Sequence, residues 1–116
     1  MFSRVLVGCL ILLLFSSAYV TAGVNISGNW RASHSGAVLE ATVNQHGDSL
    51  DGVAYVHSLG GKKDTYHFKG SVLGNQVTIA HHSGHRFAGM VTRDGQIEGV
   101  LTTRGGARFP LQILRR

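Results

Sequence analysis

Residues 37–57 read AVLEATVNQHGDSLDGVAYVH. Leu39, Ala41 and Val43 alternate with Glu40, Thr42 and Asn44. After His46-Gly47-Asp48 the apolar series resumes with Leu50, Ala54 and Val56. A period of two is that of a half-buried strand, whose side chains point to opposite faces in turn. Two such runs joined by a short Gly-containing turn pair as an antiparallel hairpin.

The same pattern extends in both directions. It predicts eight strands, at 26–32, 37–44, 49–57, 65–72, 76–82, 86–92, 96–102 and 107–114. Leu73-Gly74-Asn75 and Arg93-Asp94-Gly95 supply further tight turns, so the strands form an antiparallel meander. Its apolar face collects Leu39, Ala41 and Val43, then Leu50, Ala54 and Val56, then Tyr66, Phe68 and Val72. Val77, Ile79, Phe87, Val91, Ile97, Leu101, Phe109, Leu111 and Ile113 complete it. A sheet with one apolar face must cover it. No helical period follows Gly23 to supply a cover. Closing the sheet on itself solves both the cover and the exposed edges. The expected fold class is therefore all-β, an eight-stranded antiparallel up-and-down β-barrel. An apolar-x-Gly unit recurs as Ile26-Ser27-Gly28, Leu50-Asp51-Gly52, Phe68-Lys69-Gly70, Phe87-Ala88-Gly89 and Ile97-Glu98-Gly99. Glycine weakens a flat strand, so the recurrence points to strands coiled tightly around a narrow interior.

Ahead of this domain lies MFSRVLVGCLILLLFSSAYVTA, with Arg4, an apolar run from Val5 to Phe15, and Val20 and Ala22 before Gly23. This is the pattern of a secretory signal peptide over residues 1–22, leaving a single domain at 23–116. The expected location is secreted or periplasmic, with no membrane anchor after cleavage. The length of 116 residues allows one small domain and excludes a two-domain enzyme. The only cysteine, Cys9, leaves with the leader. A cysteine nucleophile, an iron–sulfur site and disulfides are then excluded from the domain. The formal charge of +5 favours anionic ligands. Its basic residues are scattered and lack an aromatic platform, which argues against nucleic acid. Asn25-Ile26-Ser27 fits the N-glycosylation tripeptide, which matters only in a eukaryotic secretory route.

Gly28-Asn29-Trp30 on the first strand and Arg115-Arg116 after the last resemble the calycin group of lipocalin-like and avidin-like barrels. The resemblance implies a first-strand Trp packed at the closed end against a basic residue from the last strand. It assigns Trp30 and Arg115 structural roles. No biotin-site residues match, and lipocalin disulfides and a C-terminal helix are absent.

In a meander, the connections after strands one, three, five and seven share one end. That end gathers His34, His57, His81, His82, His85, Lys62, Lys63 and Arg104, with Tyr66 on the inner face below. Barrel mouths are common ligand sites. The expected function is a binding module that holds a small anionic or amphipathic ligand at this mouth, through His34, His57, Lys62, Lys63, Tyr66, His81, His85 and Arg104. Solvated loop tips and a barrel filled by its own side chains are equally compatible with these residues. The alternative from another class is a protein-interaction module, such as a protease inhibitor or an accessory subunit. His81 and His85 are the candidate metal ligands, although no carboxylate or thiolate lies nearby to complete a tetrahedral set. No catalytic residue and no cofactor is expected, because no inner-face carboxylate is paired with a base. Val53, Tyr55, Met90 and Val100 on the outer face suggest a homo-oligomer.

Overall fold

The computed structural model describes residues 24–116. The predicted leader and its cleavage site lie outside these residues. Eight strands follow in order: β1 (Gly28–His34), β2 (Ala37–His46), β3 (Ser49–His57), β4 (Lys63–Leu73), β5 (Gln76–Ala80), β6 (Arg86–Val91), β7 (Ile97–Thr102) and β8 (Arg108–Arg115). Each pairs antiparallel with the next, and the sheet closes into a barrel. The seam is short. Trp30 pairs with Arg115 and Arg31 with Leu114, and the Arg116 N–H adds a bond to the Asn29 carbonyl at 2.8 Å.

Four of the turns are one design. Residues 58–62, 81–85, 92–96 and 103–107 each run x-x-x-Gly-x. The first N–H donates to the fifth carbonyl at 2.8–3.0 Å, and the glycine N–H donates to the first carbonyl at 2.9–3.0 Å. Gly61, Gly84, Gly95 and Gly106 have φ between 81° and 100°. This is the three-residue hairpin loop with a left-handed glycine that forms the bulge. Its consequence is a boundary correction. The fifth strand was expected to run through His82, but it stops at Ala80, because His81 opens the turn. Strand β1 likewise starts at Gly28 and not at residue 26. There the Ile26 N–H is taken by Gln45 Oε1 at 2.8 Å instead of a ladder partner.

The buried core sits toward the end opposite these histidines. It comprises Ile26, Trp30, Val43, Leu50, Phe68, Val72, Val77, Phe87 and Ile97. Residues 24–27 fold across that end as a plug. Gln45 Nε2 donates to the Val24 and Gly47 carbonyls, both at 2.9 Å. Trp30 Nε1 donates to the Ile26 carbonyl at 2.9 Å. The Arg115 guanidinium lies 4.3 Å from the Trp30 ring centroid and donates to the Ser27 and Asn25 carbonyls at 2.9 and 3.3 Å. The sequence places that arginine opposite the tryptophan, so one side chain caps the ring and pins the plug.

The strand glycines have a steric cause. A Cβ on Gly52 would lie 2.1 Å from the Thr42 carbonyl oxygen and 2.6 Å from the Phe68 ring; one on Gly99 would lie 2.3 Å from the Ala88 oxygen and 2.7 Å from the Phe87 ring. Gly52 pairs with Phe68, and Gly89 with Gly99. Two aromatic rings thus occupy the space above glycine floors, and the strands approach closely beneath them. The outer apolar set is divided by the topology. Val53 and Tyr55 are on β3, whereas Met90 and Val100 are on β6 and β7, with β4 and β5 between.

Candidate functional site

A cavity of about 260 Å³ opens at the end where β1–β2, β3–β4, β5–β6 and β7–β8 turn. Its walls are Leu39, Ala41, Ala54, Val56, Ile79 and Leu101, and its floor is the buried core with Trp30. The polar groups lie at the lip: Tyr66, His81, His85, Arg86 and Thr103. A second hollow of about 210 Å³ shares Leu39, Val56, Leu101 and Leu111 with the first. It reaches toward His34 and Phe109, whose rings are 5.1 Å apart.

The hairpin turn explains why two histidines meet here. Alternation carries Val77 and Ile79 inward and continues to His81; on the returning strand Phe87 continues to His85. Residues one and five of the turn bond to each other, so their rings share one side. Their centroids are 6.4 Å apart with nearly parallel planes. Tyr66 meets both edge to face, at 5.2 Å and 5.7 Å. His81 and His82 do not point to opposite faces, as two successive residues of the expected strand 76–82 would, because both belong to the turn and their ring centroids lie 4.1 Å apart.

The proton positions follow from the partners. The Ser83 main-chain N–H donates to His81 Nδ1 at 3.2 Å, and Ser83 Oγ lies 2.7 Å from the same nitrogen. The Arg104 main-chain N–H donates to His85 Nδ1 at 3.1 Å. A main-chain N–H only donates, so both Nδ1 atoms accept and both rings carry their proton on Nε2. The two rings therefore offer a pair of N–H donors. A metal ion needs an unprotonated nitrogen, and here that nitrogen is already occupied. Among the described residues no three His, Cys, Asp or Glu are placed to hold a metal ion.

Desolvation in the half-buried mouth, then repulsion from His82, His85 and His67, holds the His81 pKa below its ordinary value. The unfolded chain then binds the proton more readily than the folded one. Stability falls as pH drops below about 6.5, the unperturbed histidine value. His81→Asn is expected to flatten this loss, measured as the change in Tm between neutral and mildly acidic buffer. An unchanged acid slope would show that His81 is not its source.

The remaining expected site residues lie elsewhere on this end. His57 Nε2 is 3.9 Å from Glu40 on the outer surface. Lys62 is 3.7 Å from Asp64, and Lys63 sits 4.5 Å from the Tyr55 ring centroid. Arg104 does not line the cavity; its main-chain N–H donates to His85 Nδ1, and its side chain packs beside Gly84. Sequence reasoning missed Arg86 and Thr103. Thr103 follows Leu101 by two and is inward by the same alternation. Arg86 is outward by that rule, yet as the first residue of β6 it too borders the cavity.

No known family, curated protein or solved structure matches the chain.

Proposed function

We propose that this barrel is a secreted or periplasmic binding module for a small amphipathic ligand. An apolar tail enters the cavity, and an acceptor head group meets the Nε2–H donors of His81 and His85, with Tyr66, Thr103 and Arg86 beside them. The observation that carries the reading is the cavity itself, apolar to its floor and polar only at its open lip. The closed eight-stranded meander, with Trp30 under Arg115, supports placing the chain beside the calycin-like barrels, many of which enclose ligands.

The volume sets a size. At about 30 Å³ per water-sized atom, 260 Å³ takes roughly nine heavy atoms. That is smaller than the usual site for a drug-sized ligand. Calorimetric titration with straight-chain carboxylic acids of increasing length is expected to show tightest binding near eight carbons. Ala54→Phe projects a ring into the cavity and is expected to abolish that heat while the barrel still unfolds cooperatively. Absence of heat across the series would leave the interaction-module reading in its place.

A further inference from the structure

We propose that the mouth end of the barrel docks reversibly on an anionic lipid bilayer, with Leu59 as its apolar contact. The observation is an uneven distribution of charge. The described residues hold ten Lys/Arg and six Asp/Glu. The turns and strand ends around the mouth carry Lys62, Lys63, Arg86, Arg104 and Arg108 against Asp64 alone. The five cations and five acids of the remaining surface cancel, so the whole net charge of +4 belongs to the mouth end. Glu40, the acid nearest this group, is already engaged by Arg116. Such a one-sided field orients the molecule toward a negative surface.

Leu59 lies within this field. It tips the 58–62 turn with Gly60 and Gly61 beside it, and it is 82% exposed. Its Cγ and both methyls lie over Gly36 of the β1–β2 turn, where a Cβ would come within 2.8 Å, so the side chain is seated at the rim with most of its surface open. A nucleic acid or a soluble polyanion would satisfy the cations but gives an exposed leucine no partner. A bilayer supplies both a negative surface and an apolar interior. Docking in this orientation would set the cavity opening against the membrane, the source of an amphipathic ligand. The surface itself stands apart from the ligand reading.

The test is sedimentation with vesicles of phosphatidylcholine and phosphatidylglycerol in equal parts, beside vesicles of phosphatidylcholine alone. Binding is expected for the anionic vesicles and is lost at high salt. Lys62→Ala and Lys63→Ala each weaken it roughly fivefold, the effect of one cation near a charged leaflet. Arg93→Ala, at the opposite end, leaves it unchanged. Leu59→Ser weakens it further, and a Leu59→Trp variant shifts its emission to the blue on the anionic vesicles. Ala54→Phe, with its cavity filled, still binds, which separates docking from uptake of a lipid chain. The proposal is overturned by any of three results: no binding to anionic vesicles, equal loss with Arg93→Ala, or full binding by Leu59→Ser with no spectral shift for Leu59→Trp. Equal affinity for soluble polyglutamate would assign the surface to an acidic protein instead.

Discussion

Replacing Gly52 by valine is expected to destabilise the barrel by about 3 kcal/mol, the upper end of the usual cost of overpacking. The position tolerates no Cβ, because the first obstacle is the Thr42 carbonyl of the neighbouring strand at 2.1 Å. Backbone cannot step aside as a flexible side chain does. The second obstacle is the Phe68 ring at 2.6 Å. A double variant separates the two. If the ring were the main problem, Phe68→Leu would restore Gly52→Ala. Because the carbonyl comes first, the expected result is that it does not. Gly47→Ala is the contrasting case. That turn glycine has φ of 62° and open space where the Cβ would go, so only a left-handed backbone is strained, at about 1 kcal/mol. Urea denaturation of the variants checks the order. With total stability of about 5–15 kcal/mol for a domain, the valine variant loses a large share. Near-equal costs at Gly52 and Gly47 would show that strand proximity is not what the glycine serves.

The barrel was legible because its signal is periodic and each strand repeats it. Alternation alone sorted Val43, Leu50, Phe68, Val77, Phe87 and Ile97 to the inside, and all six are buried. Closure followed from the need to cover that face. Strand ends were less legible, since a bulged turn looks like two more residues of strand until the glycine at its fourth position is recognised. That misreading fell on His81 and His82, which were placed on a strand although both belong to the turn that sets His81 beside His85. The site was legible only as an end of the barrel. Topology gathers loop residues at one pole, but side-chain parity decides which of them see the interior. His34, Tyr66, His81 and His85 share the inward phase, whereas His57 and Lys63 have the outward one. Applying the alternation rule past the strand ends would have divided the list and added Thr103. The placement of Arg86 was beyond that rule, because the first residue of a strand can border the lip from either phase.

The two ends divide the labour between stability and binding. At the closed end, large side chains and the folded-over segment 24–27 pack into the buried core. At the mouth the inner face is lined by half-buried residues, and polar side chains ring the entrance. This asymmetry has a cost in folding free energy. An empty apolar cavity forgoes the packing contacts that its lining side chains would make. The closed end must therefore supply a disproportionate part of the stability, which makes its central residue the most sensitive in the chain.

Trp30→Ala is expected to cost about 3–5 kcal/mol, the range for deleting a buried aromatic side chain. Only 1% of Trp30 is exposed. Its loss removes the ring that β2 and the plug pack against, the donor to the Ile26 carbonyl, and the platform beneath Arg115. Two milder variants apportion the effect. Trp30→Phe keeps most of the packing but leaves the Ile26 carbonyl without its N–H, at about 1–3 kcal/mol. Arg115→Ala removes an exposed cation–π contact worth about 0.5–1 kcal/mol together with two hydrogen bonds to the plug. Arg115→Lys keeps the charge but cannot fork to both the Ser27 and Asn25 carbonyls, so it falls between alanine and wild type. Because Trp30 is the only tryptophan, unfolding is followed by circular dichroism instead of emission. The expected order of loss is Trp30→Ala, then Trp30→Phe, then Arg115→Ala, then Arg115→Lys. A Trp30→Ala variant within about 1 kcal/mol of wild type would mean that the stability of this barrel resides elsewhere than its plugged end.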